Sequence, residues 1–277
     1  MDWKEKFLDQ VVQGDCIERL KEIPDDSVDL IITSPPYNCG IKYDSYDDNK
    51  DWDQYVKWCT EWLHELRRVM KPDGRICLNV LIDMGIEDNK NRVSPFAEFY
   101  RMFDTVKIKS AGTAFWTDNH RIKYTAWGSW KSASAPYVYL PYEVIMLGYK
   151  EQWNKQEKGL STISKKDFIM GCSGVWKLKT QTQELTKANF NTDLPELCIK
   201  LFSYKDDIIL DPFMGSWTTA VAAKKLHRHF VGFEISEQYC KVGQHRVDGT
   251  TPIFEQLLIE ESEGAKDELA QFTFEME

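Results

Sequence analysis

A hydroxyl, two prolines and an aromatic ring in succession, Ser34-Pro35-Pro36-Tyr37, form a set of groups able to activate an amine. Consecutive prolines supply carbonyls but no N–H, so their turn offers acceptors without competing donors. A planar, conjugated NH2, such as the exocyclic amine of a nucleobase, has its lone pair delocalised into the ring. Acceptors that hold both N–H bonds while the nitrogen pyramidalises free that lone pair for attack on an electrophile, an effect needed mainly in the transition state. Tyr37 can stack on the ring meanwhile. The same string also reads as a proline-terminated strand with a tyrosine packed for stability, and alone it does not separate the two.

A second stretch lies far along the chain. Asp211-Pro212-Phe213-Met214-Gly215-Ser216 is loop-like, and Glu234 follows 23 residues after Asp211 at the end of the apolar run Phe230 to Phe233. A carboxylate so placed can take both hydroxyls of a ribose. Gly215 allows close approach of the backbone to a ligand. Trp217-Thr218-Thr219 lacks the lysine of a phosphate-binding loop, and no Gly-x-Gly-x-x-Gly occurs. Asp211 would repel a pyrophosphate but could accept from an ammonium, so a cofactor with an amino acid and a nucleoside, and no phosphate, suits these charges. A structural β-α-β unit with two solvated carboxylates is the plainer reading of the layout.

Both stretches need strands that end where the chemistry begins. Val28, Leu30, Ile31 and Ile32 read as a strand covered on both faces and stopped by Pro35. Val11 to Gln13, ending in Gly14 and Asp15, reads as a strand, and Cys16 to Ile23 as the helix of a β-α-β unit. The polar segment from Tyr37 to Lys50 is expected to be a mobile loop. Apolar residues from Trp52 to Val69 recur at helical spacing, and Pro72-Asp73-Gly74 ends that helix. Strands are expected at 75–81, 106–109 and 137–147, with a helix from Ser94-Pro95 to Phe103. Asp207 to Leu210 is a strand and Thr218 to Leu226 a helix. Residues 150–190 lose periodicity and read as a small insert.

The 277 residues, 42% hydrophobic and 29% charged, suit one large α/β domain. Neither a leader nor a membrane span is expected, since no apolar run reaches eighteen residues. The seven cysteines are scattered, without a Cys-x-x-Cys pair, and read as reduced cytoplasmic thiols; no metal site is expected. His227-x-His229 reads as a helix-to-strand turn. The net charge of −9 argues against a nucleic-acid partner, but its distribution is uneven. Residues 150–187 hold eight lysines against four acids, while residues 252–277 hold eight acids against Lys266.

With both stretches in view, the chain from Val11 to about Val247 resembles the S-adenosylmethionine-dependent DNA amino-methyltransferases. Thr33 to Tyr37 matches the family's catalytic motif, and Asp211 to Thr219 its cofactor motif at all but one position. Catalytic before cofactor motif is the permuted order of the beta group. The resemblance implies an α/β fold, the circularly permuted, Rossmann-like seven-stranded sheet of class I methyltransferases. It divides the chain into a catalytic half (1–149), a target-recognition insert (150–188), a cofactor half (189–249) and an acidic tail (250–277).

It further implies that Ser34, Pro35, Pro36 and Tyr37 are catalytic. Cofactor binding falls to Asp211, Phe213, Gly215, Ser216, Thr218 and Glu234, with Asp15 near the adenine. Residues Asn189 to Ile199 are expected near the methionine end, and Thr125 to Trp130 near the target base. The one departure is Trp217, where the family usually has glycine; an indole there is expected beside the cofactor. Double-stranded DNA is the implied partner, with a flipped base as substrate. A restriction endonuclease partner and a homodimer are compatible with the resemblance. Serine before the double proline leans toward cytosine N4, with adenine N6 as the alternative. A protein-glutamine methyltransferase would meet the same lone-pair problem but carries its cofactor motif first. A DNA-binding module inactivated through Trp217 is the reading from another class.

Overall fold

The computed structural model describes residues 2–41, 46, 48–86, 91–117, 128–138, 140, 142–178 and 192–250. In chain order the elements are α1 (Trp3–Phe7), β1 (Val12–Gln13), α2 (Cys16–Leu20), β2 (Val28–Thr33), α3 (Trp52–Val69) and β3 (Met70–Val80). The small hairpin β4 (Met84–Ile86) and β5 (Asn91–Val93) follows, then α4 (Pro95–Val106), β6 (Lys109–Thr117), β7 (Tyr142–Tyr149), α5 (Lys165–Cys172) and β8 (Val175–Lys177). The last are α6 (Asp193–Phe202), β9 (Ile208–Asp211), α7 (Thr218–Lys225), β10 (His229–Glu234) and α8 (Glu237–Asp248).

Local sequence explains the principal elements. Every residue of β2 is buried, as its apolar run requires of a central strand. In α3, Asp51 caps the first turn through Asp53 N and Gln54 N, and the stripe Tyr55, Cys59, Trp62, Leu63, Leu66 and Val69 is buried. Each large apolar side chain in that stripe contributes about 1.5–3 kcal/mol by leaving water. Ser94 caps α4 through Ala97 N, with Pro95 in its first turn.

The main sheet runs β1-β10-β9-β2-β3-β7-β6-β8. The five strands from β1 to β3 are mutually parallel; β7 is antiparallel to both β3 and β6. Between β2 and β9 the chain's direction of winding reverses. From β2 it proceeds through α3, which packs on one face; from β9 it proceeds through α7, which packs on the other. Ile31 faces the first core, Leu30 and Ile32 the second. Such a reversal leaves a crevice outside the carboxyl ends of the strands.

Three expectations are corrected here. Among the described residues the sheet has eight strands, the seven expected plus β8, which adds in parallel to β6 at the edge. Residues 150–178 are therefore partly sheet and helix, and residues 179–188 lie outside the described ones. Val106 closes α4, and the next strand begins only at Lys109, because Lys107 takes a left-handed conformation (φ 64°) that stops the helix. Lysines of the basic stretch also serve the fold. Lys150 bonds Asp26 and the Arg68 and Met70 carbonyls, while Lys155 pairs with Asp29 and Asp207 near the amino end of β2. Burial alone would push the Asp29 carboxyl up, but Lys155, the Ile208 N–H and Lys71 outweigh it and hold it below the usual range. Among the described residues no helix is long and apolar enough to cross a membrane.

Candidate active site

The crevice encloses about 960 Å3, its open mouth included. Parallel strands bring their ends to it together: Gly14 and Asp15 after β1, Ser34 to Tyr37 after β2, Pro212, Phe213 and Gly215 after β9, and Glu234 and Ile235 at β10. Tyr46, Trp58 and Tyr239 add aromatic walls. Two stretches separated by more than half of the chain thus share one cleft.

Within the first stretch, Ser34 Oγ lies 2.7 Å from the Tyr37 hydroxyl. That hydroxyl also reaches the Asn79 backbone carbonyl (3.3 Å) and Glu143 Oε2 (3.4 Å). Tyr55, wholly buried in α3, donates its hydroxyl to the Pro36 carbonyl at 2.8 Å and fixes the double-proline turn. The following segment is tethered at both ends. Asp48 gathers the N–H groups of Asn38 (2.8 Å), Cys39 (3.1 Å) and Ile41 (3.1 Å), and the Asn38 side chain exchanges two bonds with Lys50. The expectation of a mobile loop therefore holds for neither tethered end; residues 42–45 and 47 lie outside the described ones.

The two carboxylates of the second stretch differ. Glu234 accepts from Gly215 N and Ser236 N, each at 2.8 Å, and still lines the cleft. Asp211 does not line it. Its carboxylate is buried and takes the Thr33 hydroxyl (2.7 Å), the Thr219 hydroxyl (2.7 Å) and Phe213 N (3.0 Å). Burial outweighs these three donors and pushes its pKa up to about 6. Asp211 thus ties the residue before Ser34 to the helix of the second stretch, where an ammonium-accepting role was expected. Ser216 and Thr218 also lie off the cleft, their hydroxyls 3.1 Å apart and Thr218 engaged by Arg246.

The cleft's chemistry fits a phosphate-free nucleoside cofactor. Its described lining contains two carboxylates and no lysine, arginine or histidine. At Gly215 the backbone is left-handed (φ 51°), and the space a Cβ would occupy is open. Asp15 is half committed, since it caps α2 through Ile17 N (2.9 Å) and Glu18 N (3.2 Å).

Residues 28–245 match the N6/N4 family of DNA methylases. The chain belongs to that family. It is an S-adenosylmethionine-dependent DNA methyltransferase of the amino-methylating type. The type II methyltransferase M.MjaVI of Methanocaldococcus jannaschii is 40% identical over 164 residues, covering 59% of this chain and 82% of the relative. Two solved structures share the fold. One is a DNA modification methylase of Thermus thermophilus complexed with S-adenosyl-L-methionine (TM-score 0.70, 21% identity, 88% and 95% covered). The other is the PvuII cytosine-N4-specific DNA methyltransferase (TM-score 0.67, 22% identity, 90% and 89% covered).

In this methylase Trp217 does not approach the cleft. The indole is wholly buried in the core beneath α7, edge-on to Phe230 at 6.3 Å between ring centroids. Gly243 of α8 makes the space, since a Cβ there would fall 2.0 Å from Trp217 Cδ1. Trp217 precedes α7 with φ 64°, a conformation that explains why glycine suits the position and that costs a tryptophan about 1–2 kcal/mol. The expectation of an indole beside the cofactor is corrected accordingly, and with it the case for lost activity. Trp217→Gly is expected to relieve the strain but empty a tryptophan-sized volume, for a net loss of about 2 kcal/mol. Chemical denaturation should show that loss while cofactor affinity, read by calorimetry, stays unchanged.

Thr125 to Trp127 and Asn189 to Asn191 lie outside the described residues, and none of residues 192–199 lines the cleft. Sequence reading missed the aromatic walls Tyr46, Trp58 and Tyr239 and the supporting residues Asn79, Glu143 and Tyr55. Of the supporting residues Tyr55 carried a signal, as a polar-tipped residue on the buried stripe of α3. The methylase has no cluster of His, Cys, Asp or Glu poised for a metal among its described residues.

Proposed function

We propose that this methylase modifies the exocyclic N4 of a cytosine flipped out of duplex DNA. The observation that carries the reading is the union of Ser34, the double proline and the Tyr37 ring with the Glu234 carboxylate in one cleft. Extruding the base costs a few kcal/mol, and stacking on Tyr37 returns about 1–3 kcal/mol. The Pro36 carbonyl accepts from Tyr55 within the fold, while the Pro35 carbonyl and Ser34 Oγ serve as the acceptors for the two amine N–H bonds. As these bonds draw the nitrogen toward a pyramidal form, its lone pair becomes the nucleophile.

S-adenosylmethionine, when bound, supplies a methyl group on a positively charged sulfur. Glu234 would hold its ribose, Asp15 and Ile235 would border the nucleoside, and Phe213 and Gly215 would form the floor. Serine before the double proline supports cytosine N4 over adenine N6. The type II naming of the M.MjaVI relative supports a modification enzyme paired with a restriction endonuclease.

Labelled methyl transfer from S-adenosylmethionine to mixed-sequence duplex DNA, followed by mass identification of the nucleosides, tests the reading. N4-methylcytosine is the expected product. N6-methyladenine would overturn the base assignment, and label on RNA or protein alone would overturn the substrate.

A further inference from the structure

The cleft shows where the Ser34 hydroxyl lies but leaves open which way its proton points. That direction matters, because a hydroxyl that must accept from the substrate amine has to spend its own proton elsewhere. Ser34 Oγ and the Tyr37 hydroxyl, 2.7 Å apart, each carry one proton. If Tyr37 donates to Ser34, the serine proton turns toward the substrate and opposes the amine N–H. If Ser34 donates to Tyr37, the lone pairs of Oγ face the amine, and Tyr37 must donate to something else.

Glu143 supplies a charged acceptor beside the neutral Asn79 carbonyl. It stands near the amino end of β7, and because β7 is antiparallel to β3 (Val80 pairs with Val144), that end lies beside the carboxyl edge where the cleft is. Its Oε2 is 3.4 Å from the Tyr37 hydroxyl and accepts from Asn79 Nδ2 at 2.8 Å. The Asn79 amide is fixed in turn, since reversing it would set an oxygen against the carboxylate. Its Nδ2 so held lies 3.2 Å from the Tyr37 hydroxyl and 3.5 Å from Ser34 Oγ, donating toward both oxygens. The acceptors Glu143 Oε2 and the Asn79 carbonyl both lie at the Tyr37 hydroxyl, and they favour one polarity: Ser34 O–H to Tyr37, Tyr37 O–H to Glu143 or the Asn79 carbonyl.

We propose that Glu143 is a positioning residue that orients the Ser34–Tyr37 hydroxyl pair so that Ser34 accepts from the substrate amine. The inference rests on the amine-transfer reading above. It assigns Glu143 no contact with DNA or cofactor, and no bond is made or broken at it.

The test is a double-mutant cycle in the full chain, with wild-type methyl transfer to DNA as its baseline. Glu143→Gln keeps shape but replaces the carboxylate by a group that can donate to Tyr37. It is expected to lower kcat about tenfold to a hundredfold, with KM for DNA and the cofactor Kd within about twofold. Tyr37→Phe keeps the stacking ring and removes the link, so adding Glu143→Gln to it should lower kcat by no more than about twofold further. Losses that multiply in the double variant overturn the inference, as does a kcat for Glu143→Gln close to wild type. A melting temperature or cofactor affinity that falls in step with kcat makes Glu143 a structural residue and overturns it too. An inactive wild-type protein would instead overturn the amine-transfer reading itself.

Discussion

Replacing Ser34 by alanine is expected to lower kcat by about a hundredfold or more, the usual cost of removing one preorganised polar group that acts on charge developing in the transition state. Ser34 Oγ is held at 2.7 Å by the Tyr37 hydroxyl in a turn fixed by Tyr55, so its position is set before substrate arrives. A preset acceptor costs no reorganisation at the moment of reaction, and its value is realised only as the nitrogen loses conjugation. Binding of ground-state DNA uses the Tyr37 ring and the extruded base's other contacts, which alanine leaves in place. Single-turnover methyl transfer should therefore slow while DNA affinity, read by fluorescence anisotropy, changes by less than about threefold. Loss of DNA affinity in parallel with rate would make Ser34 a binding group and remove the lone-pair argument. The melting temperature should barely move, because the Tyr37 hydroxyl retains the Asn79 carbonyl as acceptor.

What sequence could show of this site follows the reach of its signals. The strand ends were legible because β2 is an unbroken apolar run ended by Pro35 and β10 an apolar run ended by Glu234; burial on both faces writes itself into neighbouring residues. Asn79 and Glu143 were not, since they are 64 residues apart and meet only through antiparallel pairing of β3 with β7. Nothing local marks a glutamate at the start of a strand as part of a cleft. Asp211 was found but its donors, Thr33 and Thr219, were not, because sequence does not reveal which donors a carboxylate will meet. Trp217 shows the converse. A residue beside a ligand loop in sequence points the other way in space, since the left-handed backbone at 217 turns its side chain into the core that Gly243 leaves open.

Asp211 supports the second large effect, on stability and its pH dependence. Alanine at 211 would strand the Thr33 and Thr219 hydroxyls, both nearly inaccessible, and the Phe213 N–H, at about 1–3 kcal/mol each; the sum, discounted for relaxation, is roughly 3–5 kcal/mol. Such a loss is a large share of the roughly 5–15 kcal/mol that holds a typical domain together. Asparagine should cost far less, because its oxygen can keep the Thr33 and Phe213 bonds while Thr219, on α7, can turn its proton to a carbonyl one turn back. The comparison with asparagine also isolates the charge. The Asp211 pKa is raised in the folded protein to about 6 from 3.8, so the folded state binds the proton more tightly than the unfolded state. Its contribution is therefore present in full below pH 3.8, and is lost as pH rises through about 6. Between about pH 7 and about pH 5 the wild type should gain stability relative to Asp211→Asn, measured as the difference in denaturation midpoints. A difference that shrinks over the same interval would mean that the three donors outweigh burial and hold the carboxyl ionised.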